Sequence, residues 1–155
     1  MTAPRLSDAI AASARILLDT STLIAYFDNH ERVSPFATQL VDEFVFAGRN
    51  HAVISTLTVA EVLVRPRRVN LEGYQHAGDF FHRFPNLRMA PVDFAVAQQA
   101  AALRTLFSLK TPDALVIATG IAHQVSYLVT NDREWARKLQ PLDGRIAVCL
   151  LSDFL

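Results

Sequence analysis

Short apolar runs alternate along the chain with longer stretches in which apolar residues recur every three or four positions. The short runs are rich in Ile, Val and Leu, which is typical of buried strands, and the longer stretches have the period of amphipathic helices. This alternation predicts βα units arranged around a parallel sheet. The five predicted strands cover residues 15–19, 51–55, 87–90, 126–130 and 145–149.

Helical periodicity fills the segments between the predicted strands. The predicted helices cover residues 20–28, 34–48, 57–65, 70–84, 93–108, 112–124 and 132–139. Residues that break helices lie at or just beyond their ends, and a proline stands where one helix should begin; they are Gly48, Pro66, Pro85, Pro91, Pro141 and, at the helix start, Pro112. We therefore predict one three-layered α/β domain over residues 15–155. Residues 1–14 are expected to form a loose or weakly helical N-terminal extension.

Composition narrows the class of protein. The chain has 155 residues, 51% of them hydrophobic and 19% charged, which is typical of a globular domain. No apolar run approaches the ~20 residues that span a bilayer, so we expect no membrane association. Cys149 is the only cysteine, which excludes an internal disulfide and a cysteine-based zinc site and favours a cytoplasmic location. The net charge is zero, so a nucleic-acid partner would have to be held by local contacts.

Four acidic residues follow predicted strands or begin predicted helices. Asp19 ends the first strand, Glu61 lies in the helix after the second, Asp113 opens a later helix and Asp132 follows the fourth strand. In open parallel sheets, ligands bind beyond the carboxyl ends of the strands. We therefore expect these four side chains to meet at one edge of the sheet.

Each acid also has a purely structural interpretation. Asp19 and Asp132 could each cap the helix that follows, and Asp113 could favour a helix start through the macrodipole. Thr58 and Glu61 match the T-x-x-E capping box, and Glu61 could also form an i,i+4 ion pair with Arg65. For any single acid this interpretation is at least as good as a catalytic one.

As a set, the four carboxylates would repel one another unless a cation neutralised them. Oxygen ligands without cysteine or clustered histidine favour Mg²⁺ or Mn²⁺. Such ions activate water and stabilise the charged oxygens of a phosphoryl displacement, which is nuclease or phosphatase chemistry. The hydroxyl groups of Ser21 and Thr130, near two of the acids, could contact a phosphate oxygen or a bound water, although capping is the commoner role of such residues.

These stretches together resemble the PIN domain family, and within it the VapC-like toxins of bacterial toxin–antitoxin pairs. The matching stretches span residues 16–150; they are LLDTSTLIAYF, STLTVAEVL, TPDALVIATGIAHQVSYLVTNDREW and IAVCL. The resemblance implies a five-stranded parallel sheet flanked by helices, with an acidic pocket that binds Mg²⁺ or Mn²⁺ and cleaves single-stranded RNA. It also implies a homodimer and a cognate antitoxin that blocks the pocket.

The resemblance also assigns roles to the four acids, residue by residue, through the matching motifs. It implies that Asp19, Glu61 and Asp113 hold the primary ion and that Asp132 supports it or a second ion. The RPRR segment that begins at Arg65 could bind RNA phosphates beside the pocket, or it could be a solvated helix end.

Two other functions stay open at this point. A receiver-like signalling domain would also combine five strands with an acidic Mg²⁺ pocket. Its chemistry requires a lysine at the end of the last strand, however, and the segment 145–149 has none. A PIN-like module that only binds a partner or RNA would keep the fold and lack the carboxylate-dependent ion uptake.

Overall fold

The computed structural model describes residues 2–142 and 144–155. Its five strands form one parallel sheet, and all five lie within two residues of their predicted ends. The strands are β1 (Ile16–Leu18), β2 (Ala52–Ser55), β3 (Leu87–Ala90), β4 (Tyr127–Thr130) and β5 (Ala147–Leu150). The predicted α/β class is confirmed.

The helices of the described residues flank this sheet. They are α1 (Leu6–Ala9), α2 (Thr20–Asp28), α3 (Ser34–Thr38), α4 (Thr56–Val69), α5 (Leu71–Arg83), α6 (Phe94–Phe107), α7 (Thr111–Ala122) and α8 (Arg133–Lys138). A π-helical segment, Gln39–Val45, continues α3, and short 3₁₀ turns cover Gln140–Leu142 and Leu151–Phe154. None of the helices in residues 2–142 and 144–155 is long and apolar enough to cross a membrane.

Alternating strand residues supply two separate cores, which gives the three predicted layers. On β1, Ile16 and Leu18 pack with helices α1 to α5, whereas Leu17 packs with α6, α7 and α8. All three side chains are fully buried because β1 lies in the middle of the sheet.

The strand order places a crevice beside β1. The order is β3-β2-β1-β4-β5, so the chain runs outward from β1 to β3 and then returns to the other side of β1 as β4. Leu17 is opposite Val53 on one side and opposite Leu128 on the other. Ligands of such sheets bind at this switch point, outside the carboxyl ends of the strands. The order differs from the 2-1-3-4-5 order of receiver domains, which removes the receiver-like alternative.

Two predicted helices are wrong in their limits. The segment 34–48 is not one α-helix, because it becomes π-helical at Gln39 and ends at Val45. The helix predicted to stop before Pro66 continues through it to Val69. Proline removes one helical hydrogen bond there, but the Asn70 N–H still bonds to the Pro66 carbonyl at 2.9 Å, and α5 begins at the next residue.

The N-terminal extension contains the short helix α1, which agrees with the expected weak helicity. It is not loose, because side chains and hydrogen bonds hold it against the rest of the domain. Leu6 and Ile10 are buried in the same core as β1. The Asn50 side chain is fully buried, and its Nδ2 donates to the carbonyls of Ala11 and Ala14 at 2.9 and 2.8 Å. Arg49 donates to the Ile10 carbonyl at 2.8 Å. These contacts tie the segment to the loop between the π-helical region and β2.

Candidate active site

Asp19 is a buried carboxylate at the carboxyl end of β1. Its side chain is 4% exposed and accepts hydrogen bonds from the Thr22 N–H at 2.9 Å, the Ser21 hydroxyl at 2.8 Å and the Thr130 hydroxyl at 2.6 Å. The bond from Thr22 caps α2, so the structural interpretation of Asp19 is correct as far as it goes. Burial nevertheless raises the pKa of Asp19 above its ordinary range, and the hydrogen bonds only partly oppose that rise.

Ser21 and Thr130 hold Asp19 in place. Each hydroxyl donates to Asp19 and accepts from the backbone of the β4–α8 turn, Ser21 from the Asn131 N–H at 2.9 Å and Thr130 from the Asp132 N–H at 3.0 Å. The hydroxyls therefore connect the ends of β1 and β4. A direct contact of either hydroxyl with substrate stays a prediction.

Glu61 lies on α4 and faces the end of β1. Its Oε1 accepts from the Thr20 hydroxyl at 2.8 Å. Both structural interpretations of Glu61 are wrong. The helix begins at Thr56 with Ser55 as its cap, so there is no capping box at Thr58, and Arg65 pairs with Asp28 at 2.9 Å instead of with Glu61.

Asp113 and Asp132 approach the same place from α7 and α8. Asp132 caps α8 by accepting from the Glu134 N–H at 2.9 Å. Asp113 lies in the first turn of α7, and burial raises its pKa, followed by the negative charges of Asp132 and Glu61. The Trp135 side chain lowers the Asp113 pKa by less than Asp132 raises it but by more than Glu61 does, and Lys110 lowers it least.

The four predicted acids are thus connected in a closed circuit around the crevice. Glu61 bonds to Thr20, which is adjacent to Asp19, and Asp19 is joined to the Asp132 backbone through Thr130. Asp132 and Glu61 both act electrostatically on Asp113, which completes the circuit. None of the four carboxylates forms an ion pair with another described residue.

The donor set fits a hard divalent ion with bound water. Within the described ranges, no three His, Cys, Asp or Glu side chains already lie close enough to hold one ion together. Mg²⁺ keeps several waters and binds directly to one or two carboxylates, so more widely spaced acids suit it. Asp19 has a pKa raised by burial, and Asp113 has one raised by burial and then by neighbouring negative charges, so a cation would favour the ionised form of both.

Sequence patterns did not indicate Thr20 or a polar role for Trp135. Thr20 follows Asp19 directly and reaches Glu61 and, at 3.2 Å, Thr58. Trp135 packs α8 on the sheet and is 2% exposed. Its indole nitrogen also lies near Asp113. A threonine after a strand and an aromatic residue on a short helix are too common to signal either contact.

A groove that Glu61 lines lies between α2, α4 and α5. Its volume is about 840 Å³, and Glu61 lines it together with the aromatic rings of Tyr26, Phe27 and Phe80. Phe27 and Phe80 meet edge to face with ring centroids 5.0 Å apart. The Arg65–Asp28 ion pair joins α4 and α2 beside the groove.

Solved structures with the same fold come from toxin–antitoxin systems. A chain of a toxin–antitoxin complex from Klebsiella pneumoniae is 24% identical with a TM-score of 0.66, and the match covers 88% of this chain and 97% of that one. A chain of VapBC2 from Rickettsia felis, bound to a DNA fragment from its promoter, is 19% identical with a TM-score of 0.64, and the match covers 88% of this chain and 98% of that one. VapC20 from Mycobacterium tuberculosis, a sarcin–ricin loop cleaving toxin, is 16% identical with a TM-score of 0.63, and the match covers 76% of this chain and 89% of that one.

Comparison with curated protein sequences gives no match. The sequence model of the PIN domain, however, matches residues 16–139, which run from β1 to just beyond α8 and contain all four acids. PIN domains are generally nucleases, so this match supports nuclease activity. The resemblance seen in the sequence is confirmed, and this chain belongs to the PIN domain family.

Proposed function

We propose that the protein is a Mg²⁺- or Mn²⁺-dependent endoribonuclease that cleaves single-stranded RNA and serves as the toxin of a VapBC-type toxin–antitoxin pair. The observation that carries this proposal is the circuit of Asp19, Glu61, Asp113 and Asp132 at the switch point of the sheet. Within it, the pKa of Asp113 is raised first by burial and then by the charges of Asp132 and Glu61. Four acids that serve only as caps would not need to share one crevice.

Asp19, Glu61 and Asp113 would hold the primary ion, with Asp132 supporting it or a second ion. When bound, such an ion supplies an activated water and stabilises negative charge on the phosphodiester oxygens. The chain itself supplies orientation. Asp19 is fixed by three donors before any ligand arrives, which reduces the reorganisation needed when substrate binds.

The decisive experiment compares two aspartates that have the same structural role as helix N-caps. Asp19 caps α2 and Asp93 caps α6, each accepting from a backbone N–H three residues later at 2.9 Å. Asparagine also caps helices well. We expect Asp19→Asn to reduce cleavage of a single-stranded RNA to the level seen with chelator, and Asp93→Asn to cleave like the wild type in Mn²⁺.

Two results would contradict the proposal. One is cleavage that persists in chelator, and the other is an Asp19→Asn protein as active as Asp93→Asn. Calorimetry tests the non-catalytic alternative by comparing Mn²⁺ binding to the wild type and to Asp113→Asn. A module that only binds RNA or a partner should show no Mn²⁺ binding that this substitution removes.

An RNA substrate is supported by the fold shared with a toxin that cleaves the sarcin–ricin loop. Arg65 stands one helical turn after Glu61 and is 76% exposed, so it can reach a phosphate beside the crevice. Arg65→Gln should weaken RNA binding and reduce its salt dependence without changing Mn²⁺ uptake. RNA as the substrate also agrees with the predicted cytoplasmic location.

A cognate antitoxin would fit the groove between α2, α4 and α5. An apolar segment seated on Tyr26, Phe27 and Phe80 would lie against Glu61 and cover the crevice. Gly73 lines this groove, whereas Gly78 on the same helix does not, and a Cβ atom at Gly78 would meet nothing within 4 Å. Gly73→Trp should therefore abolish co-purification with the antitoxin, and Gly78→Trp should keep it.

The proposed homodimer draws support from large apolar side chains on the surface. Phe94 is 78% exposed and Leu106 is 72% exposed, both on α6. Light scattering on the purified protein should give twice the chain mass, and Phe94→Glu with Leu106→Glu should lower it if this helix forms the contact. A monomer at micromolar concentration would contradict the dimer.

A further inference from the structure

Trp135 carries a buried hydrogen-bond donor that packing alone does not explain. It is the only tryptophan in the chain, it is 2% exposed, and it packs in the core formed by α6, α7 and α8. Among residues 2–142 and 144–155, its Nε1 has no hydrogen-bond partner of good geometry. Leaving a buried donor unpaired destabilises the folded state, and phenylalanine would avoid this cost at the same position.

The nearest use for this donor is the active site. The indole N–H lies close enough to Asp113 to favour its charged form, although no hydrogen bond of good geometry joins the two groups. Trp135 sits in the helix that Asp132 caps, and Asp113 sits in the first turn of α7. The indole therefore stands beside Asp113, on the helix that Asp132 caps. As a pure donor it can bond to a carboxylate but cannot bind a cation.

We propose that Trp135 is a positioning residue whose indole N–H turns onto the Asp113 carboxylate as its acceptor, with or without a bound ion. One carboxylate oxygen is then held by the indole, and the other is turned toward the crevice shared with Glu61 and Asp132. Partners of this kind orient ligand side chains in metal sites, and their loss typically weakens metal binding or activity by about 10–100-fold. This inference rests on the proposed function only in taking Asp113 as a ligand.

A single indole makes the contact directly observable. In protein labelled with ¹⁵N-tryptophan, the indole N–H gives one resonance, which needs no assignment. We expect Asp113→Ala to move this resonance and to speed its exchange with water, in the absence of any metal. Asp79→Ala, at an exposed position on α5, is the matched control and should leave the resonance unchanged. A resonance that ignores Asp113→Ala would overturn the proposal.

The positioning role is tested by removing the N–H without changing the shape of the ring. Growth of a tryptophan auxotroph on 3-benzothienylalanine replaces the indole N–H by sulfur at position 135 alone. We expect Mn²⁺ binding, measured by calorimetry, to weaken about 10–100-fold while the midpoint of thermal unfolding stays at or above that of the wild type. Equal Mn²⁺ affinity in the two proteins would overturn the inference.

The two proposals fail in different ways. If the wild type takes up no Mn²⁺, the proposed metal-dependent nuclease is wrong, and the indole resonance still decides whether Trp135 bonds to Asp113. If the wild type binds Mn²⁺ and the sulfur isostere binds it equally well, the nuclease stands and Trp135 only packs α8 on the sheet.

Discussion

The Thr130 hydroxyl donates a 2.6 Å hydrogen bond to Oδ2 of Asp19, across the two neighbouring strands β1 and β4. Both residues are buried, and they lie 111 residues apart in the sequence. The same hydroxyl accepts from the Asp132 N–H at 3.0 Å. One oxygen atom therefore sets the relative positions of two of the proposed ligands.

Thr130→Val should separate this role from packing, because valine keeps the shape and removes the hydroxyl. Hydrogen bonds to charged groups contribute about 1.5–3 kcal/mol, so we expect the free energy of unfolding at pH 7 to fall by about that amount. RNA cleavage should fall as well. Urea unfolding and a cleavage assay measure the two effects.

Thr130→Ser is the control for this substitution, since it restores the donor and removes only a methyl group. It should recover most of the cleavage rate. A valine variant as active as the serine variant would show that the bond to Asp19 does not matter for the site.

The stability of the metal-free protein should depend on the protonation of Asp19. Burial raises its folded pKa above the ordinary value of 3.8, so the folded state holds the proton more tightly than the unfolded state does. The stability gained in this way is fully present below pH 3.8 and is lost as the pH rises through the raised pKa. Thermal unfolding of wild type against Asp19→Asn, both in chelator, should show a difference that grows in favour of the variant over this interval.

A bound divalent ion should reverse that trend, because it favours the ionised carboxylate. At an ion concentration 100 times the dissociation constant, the gain in stability is about 2.7 kcal/mol. We expect this gain for the wild type near neutral pH, and a smaller one for Asp19→Asn. Equal shifts in both proteins would place the ion elsewhere.

Asn50 should be important for stability although it is far from the acids. Its amide is fully buried and bonds to two carbonyls of the N-terminal segment. Asn50→Ala leaves these carbonyls without their donor and should lower the free energy of unfolding by about 1–3 kcal/mol. Gln98→Ala, on the exposed face of α6, is the control and should change it by less than about 0.5 kcal/mol.

Two helical glycines should respond differently to alanine. A methyl group at Gly78 meets nothing within 4 Å, so the better helix propensity of alanine should stabilise the fold by about 0.5–1 kcal/mol. A methyl group at Gly120 would approach Leu128 and Val125 to 3.0 and 3.1 Å. Because overpacking costs about 1–3 kcal/mol, Gly120→Ala should be less stable than Gly78→Ala by about that margin in chemical unfolding.

The strands were predictable because runs such as ILL at β1 are buried on both faces and carry no competing signal. The order in which they pair was not, since it depends on contacts between segments far apart in the chain. The helix through Pro66 shows a second limit. A proline is a reliable breaker only where the lost hydrogen bond cannot be tolerated, and the surroundings of α4 decide that.

The candidate site was predictable in its acids and not in the groups that hold them. A carboxylate at or just beyond the end of an apolar strand stands out, so Asp19 and Asp132 could be selected from the amino-acid sequence alone. The hydroxyl of Thr20 and the indole of Trp135 act on Glu61 and Asp113 from other elements. Their partners are set by tertiary packing, which leaves no mark in local spacing.

The Arg65–Asp28 pair has a consequence for entry into the neighbouring groove. Exposed ion pairs contribute only about 0–1 kcal/mol, and the Arg65 side chain is 76% exposed. An incoming peptide can therefore separate the two side chains at little energetic cost, and an acidic residue on that peptide can replace Asp28 as the partner of Arg65. Raising the salt concentration would weaken the Arg65–Asp28 pair and the pair between Arg65 and the peptide to a similar extent. Replacing one ion pair by the other would therefore affect which peptides bind more than how tightly they bind.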